Sequence, residues 1–293
     1  MTKPAPTVNS PALRTEDRWV QQSHGRVFTR TWYAPDSSPK HDNAPIILFH
    51  DSLGSVELWR QFPALLCRET GQNVIAFDRW GFGNSDPRPD HLAVTFVADE
   101  AQLFFPALCS QLHIDHFIAL GHSVGGAMAI ETAAQHAARC DGLITIAAQV
   151  FAEKTTLSGI RQARTQFTDA AQFDRLARYH AQKTRWVLDA WINSWLDPGF
   201  ANWNLRKVLP YVRCPSLVIH GDQDEYGTPI HPRIIKELSG GPVHTEILRG
   251  AGHLPHRECP ETIVALICAF ASGLRNRVHQ SSTSSRSRAR ENS

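Results

Sequence analysis

Ser123 stands in Gly121-His122-Ser123-Val124-Gly125, between an apolar run, Phe117 to Leu120, and an amphipathic stretch, Val124 to Ala138. A serine at a sharp strand-to-helix turn is held in strained backbone with its hydroxyl lifted above the sheet. Glycines two residues to either side remove Cβ atoms that would collide there. The helix that follows contributes free N–H groups and partial positive charge. G-x-S-x-G alone recurs by chance; the strand before it and the helix after it give it weight. The chemistry this arrangement offers is nucleophilic attack, which needs a base to take the serine proton and an acid to orient that base.

Two aspartates compete for the acid's role. The apolar run Ser216 to Ile219 leads into His220-Gly221-Asp222-Gln223-Asp224-Glu225. Asp222 follows the strand directly and is placed to hold the turn, whereas Asp224 lies further into the loop, where a carboxylate can reach an imidazole. Asp224 is therefore the expected acid. No Asp or Glu follows the preceding strand, where Ala147-Ala148-Gln149 stands. Of the 15 histidines, His253 in Arg249-Gly250-Ala251-Gly252-His253 follows the last apolar run, and Gly252 permits a tight backbone approach; it is favoured as the base over His256. Acyl transfer also needs two N–H donors for the developing oxyanion. Val124, next to the serine, supplies one. Ser52, in the polar loop after His50, supplies the other.

These side chains need a scaffold. Short apolar runs, Pro45 to Phe49, Val74 to Phe77, Phe117 to Leu120, Leu143 to Ala148, Ser216 to Ile219 and Thr245 to Leu248, read as strands, several of them buried on both faces. Amphipathic stretches lie between them, among them Val56 to Glu69 and Phe96 to Leu112, so the class is α/β with a parallel sheet. Trp19 to Gln22 and Val27 to Trp32 read as a hairpin at its edge. About 65 residues between Gln149 and Ser216 read as helix throughout, a length that is rarely structureless. The expected organisation is a disordered N-terminus (1–15), a core in two parts (16–149 and 214–273), a helical cap (150–213) and a disordered Arg/Ser-rich tail (274–293).

Composition excludes several classes. The formal net charge of the 293 residues is +2, with no basic face for nucleic acid. No apolar stretch is long enough to span a membrane, and the N-terminus lacks the apolar run of a signal peptide. Six dispersed cysteines without a CxxC pair read as reduced thiols in a cytoplasmic protein and offer no metal site. No cofactor is expected; the expected partner is a small-molecule substrate.

Together these residues resemble the α/β-hydrolase superfamily with a helical cap, from about residue 17 to 273. The resemblance rests on the His50-to-Ser55 loop, Asp78 to Asp86, Gly121 to Gly125, Gly221 to Asp224 and Gly252-His253. It implies an eight-stranded, mostly parallel sheet whose second strand runs antiparallel. It also implies hydrolysis of carboxylester, lactone, thioester or carbon–carbon bonds. Ser rather than Asp as nucleophile argues against the dehalogenase and epoxide-hydrolase branches. Members usually carry His-Gly where this chain has His50-Asp51, which sets a side chain, and a charge, beside the expected oxyanion hole. The Asp78-to-Asp86 segment reads mainly as a turn held by Asp78 and Arg79, with Trp80 at the pocket's edge. Trp191 and Trp195, four residues apart on one helix face of the insertion, are expected to line an apolar pocket. The leading expectation is an acyl-enzyme esterase. A carbon–carbon hydrolase or cofactor-free oxygenase, and a receptor that binds without turnover, are the alternatives.

Overall fold

The computed structural model describes residues 13–35 and 44–291, with side chains described through residue 276. Eight strands form one sheet: β1 (Thr15–Gln22), β2 (Gly25–Trp32), β3 (Ile46–Phe49), β4 (Val74–Phe77), β5 (Phe117–His122), β6 (Cys140–Ile146), β7 (Ser216–Gly221) and β8 (Val243–Leu248). Their order is β1-β2-β4-β3-β5-β6-β7-β8. β2 runs antiparallel to both β1 and β4, and every later pairing is parallel. This is the α/β-hydrolase sheet that the resemblance implies.

Continuous apolar runs build the centre because both faces of the sheet are covered. Every residue of β3, β4 and β5 is buried, while the edge strand β8 is half open. Side chains alternate along each strand, so β3 sends Ile47 and Phe49 into one apolar cluster and Ile46 and Leu48 into the other. Each such aliphatic side chain contributes about 1.5–3 kcal/mol on burial.

Helices cross over after β3 (Phe62–Thr70), β4 and β5 (Val124–Gln135). The stretch after β4, read as one helix from its periodicity, is broken into Phe96–Asp99, a π-turn Glu100–Phe104 and Phe105–Leu112. Pro106 lacks the N–H that an uninterrupted helix needs, and the wider turn accommodates the gap. Between β6 and β7 lie three helices, Lys154–Gln166, Ala170–His180 and Thr184–Leu196.

Of the N-terminal stretch expected to be disordered, residues 1–12 lie outside the described residues; β1 begins at Thr15. The last helix is Pro260–Glu291, and no proline or glycine follows Gly273 to stop it. Among the described residues no helix is long and apolar enough to cross a membrane.

Candidate active site

Ser123 follows β5 directly, with φ 56° and ψ −126°, a backbone state that residues other than glycine seldom adopt. Close packing enforces the turn. A Cβ on Gly121 would lie 2.1 Å from the Gly125 carbonyl oxygen, and one on Gly125 would lie 2.1 Å from that of Phe49. The helix Val124–Gln135 starts immediately behind, while the Ser123 N–H is tied to the Ile146 carbonyl of β6 at 2.9 Å. The hydroxyl is thereby carried at the carboxyl edge of the central strands.

Residues 130 and 101 positions away along the chain meet it there. His253 Nε2 lies 3.0 Å from Ser123 Oγ. On the other side of the ring, His253 Nδ1 donates to both Asp224 carboxylate oxygens, at 2.8 and 2.9 Å. Asp224 Oδ1 also accepts from the N–H groups of Tyr226 (2.8 Å) and Gly227 (3.1 Å). Burial would raise this carboxyl, but the His253 hydrogen bond and charge, with the Tyr226 N–H, outweigh it and hold it below its ordinary value. Asp222 is elsewhere: its carboxylate accepts from the Gly250 N–H at 2.7 Å and braces the turn after β8. His256 is also apart from the serine, its ring buried against Trp59 and Phe62.

A model of the alpha/beta hydrolase family matches residues 46–266. The chain belongs to that family. Over 262 residues this α/β-hydrolase is 23% identical to the alpha/beta hydrolase domain-containing protein VTE7 of Arabidopsis thaliana, covering 80% of this chain and 76% of that protein. Among solved structures, the proline iminopeptidase of Mycobacterium smegmatis superposes with a TM-score of 0.69 at 21% identity, covering 90% of this chain and 100% of that one. A thermophilic esterase from Thermogutta terrifontis gives a TM-score of 0.67 at 18% identity, covering 88% and 99%. At these identities the likeness is one of fold.

In this α/β-hydrolase a cavity of about 330 Å³ opens over Ser123 and His253. The sheet edge supplies Ser52, Leu53 and Gln149, and the three helices between β6 and β7 supply Ile160, Leu176, Trp191 and Trp195. Ser52 lines the cavity with Ser123, Val124 follows the serine in the chain, and neither backbone N–H finds an acceptor among the described residues. Trp80, expected at the pocket's edge, is not part of this cavity. Its indole stacks on His24 at 5.6 Å and lies beneath the Arg88 guanidinium at 4.8 Å, because the turn it occupies is drawn towards β2. The neighbouring Asp78 and Ser85 hold that turn: Asp78 accepts from the Val56 and Asn84 N–H groups, and Ser85 Oγ accepts from the Phe28 N–H.

Gln149, Tyr226 and His122 carried no signal of their own in the sequence, and Asp51 stood out only as the departure from His-Gly. Gln149 places Oε1 3.3 Å from Ser123 Oγ. Tyr226 lays its ring 4.9 Å from that of His253. Asp51 and His122 meet at 3.2 Å. A positional signal exists for most of them: Asp51, His122 and Gln149 all stand at or just past the carboxyl ends of central parallel strands, where open α/β sheets gather their sites.

Proposed function

We propose that this α/β-hydrolase is a serine hydrolase that cleaves an ester-type bond, carboxylester, lactone or thioester, in a small and largely apolar substrate through an acyl-enzyme. The observation that carries the reading is the continuous hydrogen-bonded line from Ser123 Oγ through His253 to Asp224. Ser123 Oγ attacks the substrate carbonyl carbon while His253 Nε2 takes its proton. Asp224, held ionised, keeps hydrogen on Nδ1 and stabilises the imidazolium. The N–H groups of Ser52 and Val124 receive the tetrahedral oxyanion. His253 then returns the proton to the leaving oxygen or sulfur. A water deprotonated by the same imidazole releases the acid and restores Ser123.

Trp191, Trp195, Leu176 and Ile160 supply the apolar walls that favour a hydrophobic acyl group. The esterase likeness in fold agrees with this reading. A fluorophosphonate probe should label wild-type protein on Ser123, and p-nitrophenyl butyrate should be hydrolysed faster than a panel of diketones. Intact protein that turns over diketones but not esters would move the reading to carbon–carbon hydrolysis. Protein that neither labels nor turns over either class would leave a ligand-binding receptor.

A further inference from the structure

His122 lies between two acceptors. Its Nε2 is 2.7 Å from the backbone carbonyl oxygen of His253, and its Nδ1 is 3.2 Å from the Asp51 carboxylate. The register of the sheet brings these groups together: Phe49 of β3 is paired with Gly121 of β5, so the residues that follow each strand emerge side by side. The imidazole is buried at 1% exposure and the carboxylate is 20% exposed at the cavity wall. Asp51 is otherwise occupied as an acceptor, taking the Leu53 N–H at 2.8 Å on its other oxygen.

A carbonyl oxygen can only accept, so Nε2 must carry hydrogen. Asp51 is ionised: burial would raise its carboxyl, but the hydrogen bond and charge of His122, then the charge of Arg257, hold it well below its ordinary value. A carboxylate too can only accept, so the Nδ1 facing it at 3.2 Å is placed to donate as well. The ring pressed on the far side, His256, has its centroid 4.5 Å away. Burial first, and then the neighbouring His122, drive its pKa well below the ordinary value, so it adds no opposing charge.

We propose that Asp51 and His122 form a buried carboxylate–imidazolium pair that positions the base by holding the carbonyl of His253, and that cancels the negative charge standing beside the Ser52 N–H. Both are positioning residues in this account. The inference rests on the acyl-enzyme reading for its kinetic consequence. An oxyanion bound at Ser52 lies one residue from a carboxylate, and in a water-poor site that repulsion opposes the transition state unless a cation stands against it. The loops after β3, β5 and β8 are thus tied by one side chain.

A double-variant cycle tests the pair on the full-length chain, with kcat and KM for p-nitrophenyl butyrate as the readout. His122→Gln retains a donor for the His253 carbonyl but leaves Asp51 unpaired, and kcat should fall about 100-fold with KM little changed. Asp51→Asn removes the charge and keeps an acceptor, and kcat should fall about tenfold. The double variant should be faster than His122→Gln alone, within about tenfold of wild type, because the unpaired charge is gone. Additive losses overturn the proposal, since a packing role alone predicts them. Nitrogen NMR of the His122 ring in Ser123→Ala near neutral pH gives a readout that does not depend on turnover. Hydrogen on both nitrogens supports the pair, and hydrogen on only one refutes it even if His122→Gln fails to fold. Wild-type labelling at Ser123 separates these outcomes from any failure of the serine mechanism itself.

Discussion

The cavity beneath the three inserted helices and the cleft around Trp80 are both walled by aromatic and charged side chains, yet they differ in room and in the partnering of their polar groups. The first holds about 330 Å³, and the serine, imidazole and carboxylate at its floor are joined to one another. The second, between Trp80, Arg79, Arg88 and Glu100, holds about 10 Å³, space for roughly one water. There the Nε atoms of Arg79 and Arg88 and the indole Nε1 of Trp80 are buried without a hydrogen-bond partner among the described residues. Polar groups converge in both places, but only over Ser123 do they hydrogen-bond to one another and leave room for a small molecule. In the Trp80 cleft, charged side chains instead lie on rings: Arg88 over Trp80, and Arg79 over Phe82 at 4.1 Å.

Loss of the Ser123 hydroxyl should be the most damaging change. Ser123→Ala should lower kcat on p-nitrophenyl butyrate by roughly 10⁵–10⁶-fold with the melting temperature unchanged within a few degrees. Near-normal turnover by that variant would mean that the larger cavity is not where the chemistry happens. Next comes the pair of aspartates on the loop after β7. Asp224→Asn should cost on the order of 10⁴-fold in kcat by releasing His253 from its tautomer. Asp222→Asn should stay within about tenfold, since its carboxylate takes the Gly250 N–H and braces a turn away from His253. The reverse ranking would reassign the acid.

The placement of these three side chains was legible from the chain because each has a local marker. The turn around Ser123 is fixed by glycines two residues away, and His253 follows Gly252, where a side chain would meet the Glu258 carboxylate at 3.1 Å. Asp224 was separable from Asp222 by its distance from the strand end. The sheet was legible for a similar reason: runs such as Ile46–Phe49 and Val74–Phe77 are wholly apolar and too short for helices. What stayed hidden depends on contacts that no local pattern encodes. Asp51 and His122 are 71 positions apart, and only the register of β3 on β5 brings them together. The break at Glu100–Phe104 was masked by apolar periodicity that continues across it. Trp80 misled because an aromatic residue beside a glycine turn looks the same whether the turn faces a cavity or the hairpin.

Substitution of the tryptophans sharpens the contrast between the two clefts. Trp191→Ala and Trp195→Ala should each raise KM for hydrophobic acyl esters about tenfold or more, the cost of about 1.5–3 kcal/mol of lost apolar contact, with a smaller effect on acetate esters. Trp80→Ala should leave KM unchanged and instead lower stability by about 3–5 kcal/mol in urea unfolding. A KM effect at Trp80 equal to that at Trp191 would place both residues at one site and undo the distinction.

The smallest effect is expected at Glu100, and it concerns stability alone. Burial among Arg79, Arg88 and Asp99 raises its carboxyl to about 7 from an ordinary 4.5, burial being the larger influence and the two arginines opposing it. A raised folded-state pKa means that the folded protein keeps a proton which the unfolded chain gives up. The stability contributed by the neutral carboxyl is therefore fully present below about pH 4.5 and is lost as pH rises through about 7. Glu100→Gln stays neutral throughout, so urea unfolding across this range should show the variant gaining on wild type, by up to about 2–3 kcal/mol above neutrality. Turnover should be unaffected at every pH, because Glu100 lines the Trp80 cleft and not the cavity over Ser123. A stability difference that does not change with pH would show the carboxylate to be paired with its arginines across the whole range. The cleft would then be a salt-bridged core in place of a strained one.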